Sequence, residues 1–384
     1  MHTNSKIINI KKGKKISNMK KVLLVTGTLN TGGLELFAIN TVKLLSKKEY
    51  SFDFLIFSDK KQDYEEEIKK MGCEIIRIKN PKKKYFKFKK QLKEVIKSHG
   101  PYDIVHSHIY YSSGMIMKIA KKNNVATCIS HSHSIVREND KKIIRKIIHS
   151  FMRKKINKYS DYKIACTLEA GENLFGKEIF DKNGIIITNP IDIQKYSFDL
   201  TERNKIRKKL KIKKNQLVIG QVSRLVEGKN QFFLLELFKK NMIDINSVLI
   251  LVGDGDLRKK LEDYATKLKI KKNVRFLGKR DDVDSLLSAM DIFVMTSLHE
   301  GLGMVIIEAL ANGLPCICEE KAIVKQVRDL NNCITMKGFN IDAWNNEIKI
   351  YHKRETEKSI IKNTLAQYSE KKFINEMNKI YSNK

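Results

Sequence analysis

The stretch Asp291-Ile292-Phe293-Val294-Met295-Thr296-Ser297-Leu298-His299-Glu300-Gly301-Leu302-Gly303-Met304-Val305-Ile306-Ile307-Glu308-Ala309 changes character twice. It opens on Ile292–Met295, an apolar run of strand length. A loop follows with one carboxylate, Glu300, and two glycines, Gly301 and Gly303. From Met304 an apolar stretch of helical length carries a second carboxylate, Glu308. Strand, glycine loop and helix in that order make half of a βαβ unit. Glycines let a ligand approach the backbone, and the free amides of a helix start favour anions, diphosphate above all. Glu308 lies between Ile307 and Ala309, a poor setting for an idle surface carboxylate.

The same rhythm extends outward. Leu217–Val222, Val248–Val252 and Val274–Leu277 precede this stretch, and Pro315–Cys318 and Ile334–Met336 follow it. Helical stretches such as Gln231–Lys239, Leu257–Leu268 and Val283–Ala289 lie between them, and Arg203–Lys214 predicts a helix leading in. An earlier set comprises Val22–Thr26, Phe52–Phe57, Glu74–Ile78, Ile104–His106, Ala126–Ser130, Tyr162–Ala165 and Ile185–Thr188. After its first run, Leu34, Phe37, Ala38, Thr41, Val42 and Leu45 recur at helical intervals. Asn189-Pro190 closes that set, since proline lacks an amide donor and biases its predecessor away from helix. The predicted fold class is α/β, with two Rossmann-like doubly wound domains facing across a cleft. Chemistry is expected in the loops after the strands.

The expected boundaries are a disordered basic extension over 1–19, a first domain over 20–190, a second over 191–360 and a helical tail over 361–384. The tail, amphipathic around Phe373–Tyr381, is expected to pack back on the first domain. Residues 1–19 have no apolar core of a secretory signal. No apolar run approaches the roughly 18–20 residues needed to span a bilayer. Six cysteines without a C-x-x-C pair predict reduced, buried thiols in a cytoplasmic protein.

The 384 residues carry 75 Lys+Arg against 43 Asp+Glu, a net charge of +32. Such a balance invites a phosphate-rich partner. Yet +20 falls in residues 1–200 and +12 in the rest, so the charge is spread along the chain. No helix-turn-helix, RRM or zinc-finger pattern accompanies it, and no nucleic acid is expected as a partner.

A second constellation, Ser223-Arg224-Leu225-Val226-Glu227-Gly228-Lys229-Asn230, follows the run Leu217–Val222 directly. Two cations on one short loop suit a diphosphate leaving group: Arg224 can fork onto oxygens and Lys229 supplies a point charge. Histidines cluster in His106-Ser107-His108 and in Ser130-His131-Ser132-His133-Ser134. Neither pair has helical spacing and no carboxylate neighbours them, so no metal is expected there.

Together, Arg224…Lys229 and the glutamates Glu300 and Glu308 resemble the donor site of the family-four retaining glycosyltransferases, which have the GT-B fold. Ala309-Leu310-Ala311-Asn312-Gly313-Leu314-Pro315 is similar to that family's helix-to-strand connection, and Gly32-Gly33 followed by Glu35 to its first glycine loop. The likeness runs from Lys20 nearly to the end and is greatest to bacterial enzymes of capsule and exopolysaccharide assembly. Gly303 stands where many relatives have proline.

The resemblance implies transfer of a hexosyl unit from a nucleotide sugar, UDP-linked, with retention at the anomeric carbon. Arg224 and Lys229 would hold the diphosphate, Glu308 the ribose and Glu300 the transferred sugar. Backbone amides of Gly301, Leu302, Gly303, Met304 and Val305 would contact sugar and phosphate. Gly278, Lys279 and Arg280 would frame the base, and Gly253 and Asp254 would line the nucleoside pocket. Gly32 and Gly33 would close from the opposite, acceptor-binding domain, where His131 would reach the sugar, with His133 as its alternate. Asp254 and Asp256 form a D-x-D, which binds a metal in the other major glycosyltransferase fold. Here it follows a strand of a Rossmann-like repeat, where Asp256 is expected to be the N-cap of Leu257–Leu268. No metal or other cofactor is expected, the nucleotide sugar being a substrate.

Residues 141–158 put Ile143, Ile144, Ile147, Ile148, Phe151 and Met152 on one helical face with eight basic residues elsewhere. Such a helix reads either as a binder of anionic membrane surfaces or as a core helix with a solvated rim. Lys82-Lys83-Lys84 with Tyr85, Phe86 and Phe88 is a second basic-aromatic segment. The expected partners are a nucleotide-sugar donor, a saccharide acceptor on a polyprenyl diphosphate and an anionic membrane surface at the inner face of the plasma membrane. Two alternatives are a nucleotide-sugar epimerase of the same fold and a basic nucleic-acid-binding protein. The pairing of Arg224…Lys229 with Glu300 and Glu308 favours transfer over both.

Overall fold

Val22, Leu23, Leu24 and Val25 are all fully buried, the pattern of a parallel strand covered on both faces. Their side chains alternate: Val22 and Leu24 pack with Phe37 and Tyr381, while Leu23 and Val25 pack with Phe88 and Ile116. In this computed structural model, which describes residues 19–30, 32–80, 85–133, 143–351 and 354–383, that pattern recurs in two sheets. Residues 1–18, and Lys82–Lys84 of the basic-aromatic segment, lie outside the described residues.

The first half runs β1 (Lys20–Gly27), α1 (Gly33–Leu44), β2 (Tyr50–Ile56), α2 (Glu65–Lys70), β3 (Glu74–Arg77), α3 (Tyr85–Ser98) and β4 (Ile104–Ser107). It continues through α4 (Ser113–Lys122), β5 (Thr127–Ser132), α5 (Ile143–Tyr159), β6 (Tyr162–Ala165), α6 (Leu168–Phe175), α7 (Lys177–Asn183) and β7 (Gly184–Ile186). The second half runs α8 (Leu200–Lys209), β8 (Leu217–Val222), α9 (Gln231–Asp244), β9 (Ser247–Val252), α10 (Arg258–Lys267), β10 (Val274–Phe276) and α11 (Val283–Ala289). Then come β11 (Ile292–Met295), α12 (Met304–Ala311), β12 (Cys316–Glu319), α13 (Lys325–Arg328), β13 (Cys333–Met336), α14 (Ile341–Ile350), α15 (Lys358–Thr364) and α16 (Glu370–Ser382). The sheet orders are β3-β2-β1-β4-β5-β6-β7 and β10-β9-β8-β11-β12-β13, parallel throughout. This is the doubly wound, two-domain α/β architecture.

The chain crosses between the halves twice. Ile191 pairs with Ser369 as a parallel bridge, its amide donating to the Tyr368 carbonyl at 2.8 Å. Leu365 and Tyr368 pack in the second domain's core, so the return crossing lies near residue 369 rather than at 361. Beyond it, α16 lays Phe373, Met377, Ile380 and Tyr381 into the first domain's core. Helix α8 starts at its Asp199 N-cap and ends at Lys209, short of Lys214. Arg203 and Arg207 from that helix grip Asp291 at 2.5 and 2.6 Å, pinning the base of β11.

Helix α5 divides its apolar residues. Ile156 is buried and Met152 packs beside it, whereas Ile147, Ile148 and Phe151 are 63%, 49% and 55% exposed. Gly114 on α4 makes this inner contact close, since a Cβ there would stand 2.5 Å from the Met152 carbonyl oxygen. The side chains of Ile143 and Ile144 lie outside the described residues.

Candidate active site

Strand order in each sheet reverses beside its first strand: β1 lies between β2 and β4, and β8 between β9 and β11. A crevice opens at the carboxyl ends of such strands because the following helices turn to opposite faces. The loops after β8 and β11 therefore form one crevice and those after β1 and β4 another. They approach each other at Gly301, where a Cβ would stand 3.8 Å from the His133 carbonyl oxygen.

Lys229 and Glu300 meet in the second-domain crevice, and Arg224 stands on the same loop as Lys229. The Lys229 ammonium and the Ser297 hydroxyl both donate to Glu300 Oε1 at 2.5 Å. The loops carrying them are tied by backbone: the Leu298 amide donates to the Gly228 carbonyl at 2.9 Å, and Thr296 Oγ1 to the Lys229 carbonyl at 3.0 Å. Gln231 extends the brace, donating to Ser223 Oγ and to the Arg224 carbonyl. Arg224 itself is exposed and makes no ion pair among the described residues. The crevice thus holds one free guanidinium and one ammonium already paired with a carboxylate.

Gly303 caps α12 at φ +72°, a conformation open to glycine and closed to the proline of many relatives. Leu302 is buried, and Met304 and Val305 are partly buried against the second-domain core. Glu308 is set one turn into α12. Burial pushes its carboxyl up to about 7, against the opposing pull of a hydrogen bond from the Tyr196 hydroxyl and the charge of Lys195. Tyr196 was not legible as a site residue, because nothing in its local sequence announces contact with a helix over a hundred residues later.

The glycines after β9 are set by close approach. A Cβ at Gly253 would stand 2.0 Å from the Ser223 carbonyl oxygen, and one at Gly255 2.4 Å from that of Leu225. Asp254 is held by the Gly255 amide at 2.8 Å and by Arg258 at 3.2 Å. Asp256 does not cap α10: the cap is Leu257, in helical conformation and without a side-chain bond, because the Arg258 amide turns back to the Gly255 carbonyl. Gly278 is buried with its carbonyl bonded to the Gly253 amide, and Lys279 is exposed. Arg280 is engaged by Asp282 through two bonds, at 2.7 and 2.5 Å, and so is not a free cation.

On the opposite wall Gly32 caps α1, and Gly33 faces open space while its carbonyl accepts from Asn189. His131 is fully buried inside β5, and His133, two residues on and on the same face of the strand, is half-buried at its exit. His133 Nε2 bonds His108 Nδ1 at 2.8 Å. The rings of His131 and His133 stack 4.0 Å apart against Phe37.

Two helix-flanked parallel sheets with opposed switch points, glycine loops on both walls and a charged crevice on one define the GT-B class of two-domain glycosyltransferases. The fold matches the crystal structure of the Anabaena protein HepE in complex with UDP (TM-score 0.78, 20% identity, 95% of this chain and 100% of that one). The chain belongs to glycosyltransferase family 4: residues 31–195 match the family described as Glycosyltransferase Family 4, and 202–367 that of Glycosyl transferases group 1. It is 30% identical to the putative glycosyltransferase EpsF of Bacillus subtilis, over 91% of this chain and 93% of that protein. It is 31% identical to the UDP-Gal:alpha-D-GlcNAc-diphosphoundecaprenol alpha-1,3-galactosyltransferase of Escherichia coli, over 62% and 61%.

Proposed function

We propose that this glycosyltransferase moves a hexosyl unit from a UDP-sugar, with retention, to a saccharide on a polyprenyl diphosphate in capsule or exopolysaccharide assembly. The observation that carries the reading is the braced pair of Lys229 and Glu300 at the second sheet's switch point, with Arg224 on the same loop as Lys229. The E. coli relative's name specifies a UDP donor and a lipid-diphosphate acceptor, and HepE was crystallised with UDP.

Arg224 and Lys229 hold the diphosphate and stabilise the negative charge that develops as the anomeric C–O bond breaks. The amides of Gly301–Val305 add donors at the same oxygens. Glu300, tied by Lys229 and Ser297, accepts hydrogen bonds from sugar hydroxyls rather than serving as a free nucleophile. The acceptor then enters on the face the leaving group vacates, its proton passing to a departing phosphate oxygen. Glu308 accepts from the ribose, Gly253, Asp254, Gly278, Lys279 and Arg280 border the nucleoside, and Gly32 and Gly33 close over the diphosphate. His133 contacts the sugar from the first domain. Charge neutralisation is assigned to the two cations, not to a metal at Asp254, whose carboxylate is already committed to Arg258 and the Gly255 amide.

The exposed Ile147, Ile148 and Phe151 on α5, with Lys155 lying 4.0 Å from the Phe151 ring, form the surface that rests on an anionic bilayer. No helix among the described residues is long and apolar enough to cross a membrane. The test is a panel of UDP-sugars with a polyprenyl-diphosphate-linked acceptor, run with EDTA present. Transfer with retention is expected in wild type and a roughly 10–100-fold loss in Glu300→Gln. Sugar interconversion without acceptor, or strict dependence on added manganese, would overturn the reading. Phe151→Glu is expected to abolish sedimentation with anionic vesicles while leaving turnover of a soluble acceptor intact.

A further inference from the structure

The two histidine pairs, 25 residues apart in sequence, become neighbours because β4 and β5 are adjacent and in register, His106 opposite Ile129 and Ser107 opposite Ser130. One ring nitrogen from each of His106, His108 and His131 then lies within 4.8 Å of the others. All three residues are at most 2% exposed.

Two of the three rings have their outer nitrogen held. His106 Nδ1 meets the buried Tyr381 hydroxyl at 2.9 Å, and His108 Nδ1 meets His133 Nε2 at 2.8 Å. Both rings therefore turn Nε2 inward. His106 Nε2 stands 3.3 Å from His131 Nδ1, while the Nε2 atoms of His108 and His131 are buried without a hydrogen-bond partner. An unpaired buried nitrogen costs about 1–3 kcal/mol, so two in one cluster need a reason. Imidazole that ligates a metal through one nitrogen while an outer group holds the other is the usual arrangement of a metal-bound histidine.

We infer that His106, His108 and His131 form a binding site for one divalent first-row transition ion, zinc being the probe of choice. Imidazole nitrogens suit zinc, copper, nickel or cobalt, whereas magnesium and calcium require oxygen ligands that this cluster lacks. Zn–N bonds of about 2.0–2.1 Å place tetrahedral ligand atoms about 3.4 Å apart, so small ring rotations close the set around an ion. A solvent molecule takes the fourth position. Burial holds all three rings well below the usual histidine range, in the neutral form that ligates. Tyr381 belongs to α16, so the ion would tie the far end of the chain to the sheet beneath the cleft.

The test uses the full chain, purified without a histidine tag and stripped with chelator. Cobalt(II) titrated at neutral pH is expected to give visible d–d bands saturating at one ion per chain, with zinc displacing it. Zinc is expected to raise the thermal midpoint by roughly 2–4 °C or more. His108→Gln and His131→Gln should each lose the bands and the zinc shift, while His149→Gln, outside the cluster, keeps both. A wild-type chain with neither bands nor a zinc shift overturns the proposal without recourse to variants. Binding that survives in both cluster variants overturns it too, since the ion would then sit elsewhere.

Discussion

The two switch points share a topology and differ in chemistry. The crevice after β8 and β11 is lined by Arg224, Lys229 and Glu300, with the lysine and the glutamate locked by short bonds between loops 71 residues apart. The described residues after β1, β4 and β5 present glycines, the Glu35 carboxylate and neutral imidazoles, and no ion pair joins those histidines among the described residues. In the proposed reaction the crevice after β8 and β11 has the task of stabilising a leaving diphosphate, and the histidines of the facing wall supply uncharged contacts. Preorganisation belongs to the first task, since dipoles fixed in advance need not reorient as charge develops.

The division can be broken experimentally. Arg224→Ala and Lys229→Ala are expected to cost about 10²–10³-fold in kcat each, the scale for removing one donor to a developing oxyanion. Losses below tenfold in steady-state transfer would disprove their role. A middle-sized effect is expected from pH. Glu308 has a pKa raised to about 7 by burial, so it is largely neutral at pH 6 and charged at pH 8. Only the carboxylate form accepts from both ribose hydroxyls. UDP affinity should therefore tighten roughly tenfold between those values by calorimetry. Glu308→Gln should flatten that rise; an unchanged profile would remove Glu308 from the site. The smallest effect is expected on the facing wall, where His133→Ala should lower kcat/KM about fivefold, the worth of one uncharged hydrogen bond. A larger loss than in Lys229→Ala would reverse the comparison.

The sheets were legible because continuous apolar runs such as Val22–Val25 and Ile292–Met295 are local signals. The glycine loops were legible for the same reason. What escaped was lateral: which strands lie side by side is decided by packing, and that alone joins His106 to His131, or Tyr196 to Glu308. Asp256 was misread because a capping residue and a turn residue look alike until the neighbouring carbonyl of Gly255 takes the amide. Helix α5 shows a further limit. Its amphipathic pattern left a membrane-facing and a core-facing reading open, and the fold buries Ile156 while leaving Ile147, Ile148 and Phe151 outside.

The return of α16 to the first sheet has a consequence for biosynthesis. Phe373, Met377, Ile380 and Tyr381 complete a core whose other members are mostly translated before residue 190, and Lys20 itself donates to the Tyr381 carbonyl at 2.7 Å. At roughly 5–20 residues per second, the ribosome needs about 10–40 s to make the intervening chain. For that interval the first domain lacks the helix that covers Val22 and Phe52. The earliest domain to emerge is thus the last to be finished. Chains stopped after residue 368 should show it directly, losing the first domain to limited proteolysis before the second.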